Sequence, residues 1–171
     1  MTDLASEHPT SDPNWSRRIV VGVVLLGALT LIALVGAAFL PRWWAQRIGD
    51  QVDGSITTGG FVGLFYGFVF TLIPLALLLL AFRFLRSWRR RVAALVVAVL
   101  IASPNLLTLG IVLGTGNGAH AGDRILDVEA PAFRGGTLAG VLLAVACVGG
   151  AWYLVRSRRR AWAHADNLEA R

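Results

Sequence analysis

The sequence predicts an all-α integral membrane protein: a four-helix transmembrane bundle with both termini in the cytoplasm and a short interfacial helix in the first outer loop. Three observations carry this reading. The chain contains four charge-free apolar runs of spanning length, its arginines gather on one side of those runs, and its composition is 56% hydrophobic against 15% charged, too apolar for an ordinary soluble domain.

Crossing a hydrocarbon core of about 30 Å at about 1.5 Å per residue takes about 20 apolar residues in a helix. The run Ile19 to Leu40 meets that length without a charge, and so do Phe61 to Phe82 and Val92 to Leu113. Thr137 to Val155 is slightly shorter but is flanked by Trp152, Tyr153 and Arg156 as interfacial anchors. Residues 19–155 thus form the transmembrane domain, with helices at about 19–40, 61–82, 92–113 and 137–155. The polar, proline-punctuated segment before it (1–18) reads as a disordered cytoplasmic tail, and 156–171 as a basic cytoplasmic tail.

Orientation follows from the arginines, because positively charged flanks resist translocation while acids count for little. All sixteen basic residues are arginine, and twelve lie on one side: Arg17 and Arg18, the cluster Arg83 to Arg91, Arg156 to Arg160, and Arg171. The other side holds Arg42, Arg47, Arg124 and Arg134 together with Asp50, Asp53, Asp123, Asp127 and Glu129. This places the protein in a plasma membrane with two loops outside. The motif Ser16-Arg17-Arg18 resembles a twin-arginine export signal, but the apolar run after it is longer than a signal core and continues into Pro41-Arg42-Trp43-Trp44, which points to an uncleaved anchor. Basic residues beside apolar runs, without a groove of their own, argue against nucleic-acid binding despite a formal charge of +6.

Small residues at four-residue spacing allow close backbone approach between helices in lipid. Gly59, Gly63 and Gly67 recur so on the second helix, Gly110, Gly114 and Gly118 at the outer end of the third, and Gly136, Gly140 and Ala144 on the fourth. The short turn between the second and third helices makes them antiparallel neighbours, and the expectation is that their glycine ridges face each other. A homo-oligomer contact or a lipid-facing crevice is the alternative use of these faces. Pro74 and Pro104 each remove a backbone hydrogen bond and are expected to kink their helices. Thr71 and Asn105 fall at similar depth, so Thr71, Ser103, Asn105 and Thr108 can form a polar spot near the midplane. The plainer reading, and the one such residues more commonly bear out, is interhelical hydrogen bonding.

Reactive chemistry is sparse. No Asp, Glu, Lys, Arg or His lies inside a span, which disfavours a proton-coupled antiporter. The small multidrug transporters depend on a glutamate in the first helix, and this first helix has none. His8, His120 and His164 lie outside the spans, so no bis-histidine haem is expected. A lone Cys147 provides neither a disulfide nor a thiolate zinc site. His120, Asp123, Asp127 and Glu129 in the second outer loop match no ligand spacing; they read as solvated, with Arg124 and Arg134 as partners for Asp123 and Glu129. No cofactor and no metal are expected. In the first outer loop Trp44, Ile48 and Val52 recur at four-residue spacing, which predicts the interfacial helix, with Trp43 and Trp44 as headgroup anchors. A partner-docking surface is the alternative reading of that helix.

The segments PRWWAQRIGDQVDGS, GLFYGFVFT, SPNLLTLGI and HAGDRILDVEAPAFRGG resemble an uncharacterised family of small multi-pass proteins from high-GC bacteria that carry the generic label permease. The resemblance covers roughly residues 17 to 156 and brings no catalytic or binding residues with it. Together these features predict a non-enzymatic accessory or scaffold subunit of a bacterial envelope or transport assembly. The alternative is a small oligomeric permease for a neutral or lipid-like solute. Membrane lipids, a protein partner or further copies of the chain are the expected contacts.

Overall fold

The computed structural model describes the backbone of residues 15–169 and the side chains of residues 15–157. The expected disordered tail falls largely on 1–14, outside the described residues. Five helices follow in order: α1 (Trp15–Val52), α2 (Ile56–Phe84), α3 (Trp88–Leu113), α4 (Asn117–Glu129) and α5 (Phe133–Glu169). Among the described residues there is no strand. Trp15–Val52, Ile56–Phe84, Trp88–Leu113 and Phe133–Ser157 are long and apolar enough to cross a membrane.

Each of the four long helices extends beyond its apolar run at one or both ends. Apolarity marks where a helix can lie in lipid, whereas its ends are set by capping and by donors lost to proline. The largest difference is at α1, which passes through Pro41 and ends at Val52, so the segment expected as a separate interfacial helix is the continuation of α1. Pro41 has no N–H to give the carbonyl of Ala37. That carbonyl instead lies against Gly118, where an added Cβ would stand 2.6 Å from it. The helix ends at Asp53 (φ 50°) and Gly54 (φ 70°), a left-handed exit that glycine accepts without strain. The Gly54 N–H donates to the Glu129 carbonyl at 2.8 Å, tying this turn to the end of α4. Ser55 then caps α2, its Oγ accepting from the Thr58 N–H at 3.3 Å.

The chain divides into two units, residues 1–36 and 37–171. In the first, residues 15–35 belong to the helix α1, and the run from Ile19 onward is free of charge. The second contains the core: Trp44, Ala45, Ile48, Val52, Ile111, Leu126, Ala130 and Phe133, with Val62, Tyr66, Leu107 and Ile125 packed against it. Trp44, Ile48 and Val52 therefore point inward. Trp44, expected as a headgroup anchor, is buried, while its neighbour Trp43 is exposed.

The closest helix pair in this unit is α2 with α5. Gly59 lies under the Pro131 carbonyl, Gly63 under that of Phe133 and Gly67 under that of Thr137; in return Gly136 and Gly140 lie under the carbonyls of Gly60 and Leu64. Partners advance together along both helices, so α2 and α5 run parallel. The glycine ridge of α2 thus faces α5 and not α3. The expected third stripe also divides differently: Gly110 is open, Gly114 follows the last residue of α3, and Gly118 belongs to α4. At the opposite end, between α2 and α3, Arg91 Nε donates to the Leu85 carbonyl at 2.7 Å. There Arg83, Arg91 and Arg156 stack on Phe84, Phe82 and Trp152, apolar stems and rings in lipid with charge at the interface.

Because a Cβ at Gly63, Gly67 or Gly140 would collide with backbone, alanine at each is expected to lower stability by about 1–3 kcal/mol, the range for overpacking. Gly110→Ala and Gly149→Ala, where an added Cβ meets nothing within 4 Å, should instead be neutral or mildly stabilising through helix propensity. Reversible unfolding in mixed micelles, followed by circular dichroism, separates the two sets; equal losses in both would disprove the glycine contact.

Candidate functional site: a cleft between α3 and α5

Both α3 and α5 pack on α2, and between them a cleft of about 700 Å³ opens with α2 as its floor. The walls are almost entirely apolar, with Leu78, Leu95, Val99, Leu109, Leu138 and Val141 among them. The polar atoms are few and come from Thr71, Asn105, Thr108 and Thr137, with Arg134 at the rim.

Asn105 reaches from α3 to α2. Its Nδ2 donates to Thr71 Oγ1 at 2.9 Å and to the Gly67 carbonyl at 3.3 Å. A carbonyl can only accept, so the amide nitrogen must face it, and this fixes the orientation of the amide. The Oδ1 atom is then buried with no hydrogen-bond partner among the described residues, which costs about 1–3 kcal/mol relative to a satisfied group. Gly67 serves twice: one face of its peptide lies against α5, and its carbonyl meets α3.

Thr108 lines the same cleft and links it to the core. It accepts from the Trp44 indole Nε1–H at 3.0 Å and donates to the Pro104 carbonyl at 3.0 Å. Ser103 is exposed and does not line the cleft. Of the four residues expected at a polar spot, the structure thus brings together Thr71 and Asn105, places Thr108 on the same cleft and turns Ser103 away. Both prolines sit on this part of the bundle, Pro74 buried and lining the cleft, and α2 and α3 each run through their proline as one helix.

The segment read as an outer loop contains α4. Its carboxylates Asp123 and Asp127, four residues apart on one face, both pair with Arg134. Of the expected partners Arg124 and Arg134, it is Arg134 that takes Asp123, and among the described residues neither Arg124 nor Glu129 makes an ion pair. Glu129 lies beside Gly49 of α1. Among the described residues no three of His, Cys, Asp and Glu come together as a metal site would require.

Comparison with protein-family models, with curated proteins and with solved structures finds no match. The site is therefore read from its own geometry.

Tyr66 is a residue that sequence reasoning passed over. Its ring packs with Trp44, Phe70 and Phe133, and its hydroxyl donates to Gln51 Oε1 at 3.2 Å. The available signal was a tyrosine four residues before Phe70 on a helix that also carries a glycine ridge.

A double-mutant cycle on Trp44→Phe and Thr108→Val should return a coupling of about 0.6–1.7 kcal/mol, the span found for interhelical hydrogen bonds in membranes. Additive losses in thermal unfolding would mean that the indole and the hydroxyl do not depend on each other.

Proposed function

We propose that this is a bacterial plasma-membrane protein, with both termini in the cytoplasm, that takes a neutral lipid-like molecule into the cleft between α3 and α5 and acts as a small permease for it. The observation that carries this reading is the cleft itself: about 700 Å³ with mostly apolar walls, whose uncharged polar groups are Thr71, Asn105, Thr108 and Thr137 and whose one ionisable side chain is Arg134. Ligand sites are concave and mostly apolar, with a few placed polar groups, and this cleft has that make-up. The rim supports a neutral ligand, because Arg134 is already engaged by two carboxylates. The apolar spans of α2, α3 and α5 contain no Asp, Glu, Lys, Arg or His that would call for ion coupling. The distribution of arginines supports the orientation, and the four segments that resemble the permease-labelled family span this same bundle.

A second reading, an accessory subunit of an envelope or transport assembly, is favoured by one observation. Within the 1–36 unit, residues 19–35 form a helical run with no charged residue on any face and with Gly22 and Gly27 in it, a segment suited to packing against a neighbouring helix in lipid.

The test uses the full chain extracted gently from its own membrane. Native mass spectrometry of wild type should find a retained neutral lipid. Ala102→Trp, which fills the cleft wall, should reduce retention by at least about tenfold, or about 1.4 kcal/mol. Asn105→Leu should impair movement of that lipid between vesicle leaflets. Unchanged retention in Ala102→Trp would remove the cleft from consideration, and a stoichiometric second protein with no lipid would favour the accessory subunit.

A further inference from the structure

We propose that α1 and α4 form a second site, a cationic notch built on Arg42, Arg124 and His120 that binds a phosphate group at the membrane surface. The inference is independent of the cleft between α3 and α5 and shares no residue with it.

The notch arises from how α4 distributes its charge. Asp123 and Asp127 share one face and are both taken by Arg134. Asn117, His120 and Arg124, at spacings of three and four residues, share another face. Opposite them stand Arg42 and Gln46, one turn apart on α1. These side chains line an open cleft of about 820 Å³ with no carboxylate among its lining residues. Among the described residues, neither Arg42 nor Arg124 makes an ion pair. The acids nearest Arg124 on α4, Asp123 and Asp127, are outside the lining and engaged by Arg134, and on α1 Asp50 lies beyond the lining towards the C-terminal end.

Two guanidiniums facing one cleft repel each other until an anion enters, and the planar fork of arginine matches phosphate oxygens two at a time. Gln46 and Asn117 add amide donors, and the imidazole of His120 donates in either tautomer. The walls are held by backbone contact. An added Cβ at Gly118 would stand 2.6 and 2.7 Å from the carbonyls of Ala37 and Ala38, and one at Gly122 would stand 2.9 Å from that of Pro41. Behind the wall of α1, Trp44, Ala45 and Ile48 are buried. The cations are thus carried on fixed elements while their side chains remain exposed. The notch lies where an apolar span gives way to polar chain, beside the exposed Trp43, the depth at which lipid phosphates sit. Its ligand is a phosphate oxyanion, carried on a lipid headgroup or free in solution.

The full chain in a neutral detergent is titrated with fluorescent short-chain phosphatidylglycerol. Unlabelled phosphatidylglycerol, inorganic phosphate and a diacylglycerol of the same chain length serve as competitors. Arg42→Gln with Arg124→Gln should weaken binding by about tenfold or more, as expected for loss of two charge-assisted contacts. Arg83→Gln with Arg86→Gln removes the same charge at the opposite end and should leave affinity within about twofold, as for surface charges lying beyond screening distance. His120→Gln, a single exposed change, should weaken binding about two- to threefold, and circular dichroism verifies that each variant is folded. Competition by inorganic phosphate identifies the free anion as sufficient, and competition by phosphatidylglycerol alone identifies the lipid headgroup as the source. Equal binding by the Arg42/Arg124 variant, or displacement by diacylglycerol as effective as by phosphatidylglycerol, overturns the proposal. Ala102→Trp should bind the probe as wild type does, so this result and the failure of the lipid cleft can be told apart.

Discussion

Backbone contact between α2 and α5 sets the geometry of the rest of the 37–171 unit. In lipid there is little hydrophobic drive to bring helices together, so association depends on van der Waals contact and on how near two backbones can come. Gly59, Gly63 and Gly67 on one helix and Gly136 and Gly140 on the other each leave out a Cβ that would collide with the facing backbone. Because α2 is drawn so closely to α5, its remaining face is left for α3, and the divergence of α3 from α5 produces the cleft. Thr137 shows how economical the seam is: its hydroxyl donates to the Phe133 carbonyl at 2.9 Å within its own helix, while its carbonyl meets Gly67. The side chain is satisfied locally and leaves the seam free of demands.

Polar groups are few in this bundle, and two short chains of them join elements. Trp44, Thr108 and the Pro104 carbonyl form one such chain between α1 and α3. It supplies a donor to the carbonyl beside the point where Pro104 interrupts the regular ladder. Gly67, Asn105 and Thr71 form the second, between α2 and α3. Each chain places polar groups on the same cleft, Thr108 from the first and Asn105 with Thr71 from the second. At the loop-bearing end, α4 separates its acidic and basic residues onto different faces, and one arginine on α5 is shared by both aspartates.

Much of this was legible in the sequence. The four spans are written as uninterrupted apolar length, and the conjunction of Thr71 with Asn105 followed from counting depth along two helices joined by a short turn. Other features depend on information that periodicity does not contain. A ridge of glycines announces a close contact but does not name its partner, so Gly63 and Gly67 could be recognised and still be assigned to α3. Pro41 reads as a stop because it lacks a donor, yet the helix continues, since a carbonyl left open can face another helix that presents glycine. The stretch TGNGAHAGD looks like loop because it is rich in glycine. The buried side of α4, Gly118, Ala119, Gly122 and Leu126, is a helical pattern written in small residues, and its hydrophobic signal is correspondingly faint. Trp44 reads as an anchor by type and is buried by geometry, and only its spacing with Ile48 and Val52 hinted at an inward stripe.

The parallel pairing of α2 with α5 also bears on the order in which the chain can be assembled as it leaves the ribosome. Between Gly67 and its partner Thr137 lie the whole of α3 and α4, so the glycine seam of α2 has no mate when α2 and α3 first enter the membrane as a hairpin. During that interval the seam is lined by lipid tails, or by whatever helix happens to be near. The last span is then the element that completes the bundle, inserting beside a helix made long before it. A chain cut short ahead of α5 would keep three spans but expose a groove of bare peptide to the bilayer, a feature by which quality control could recognise an unfinished molecule.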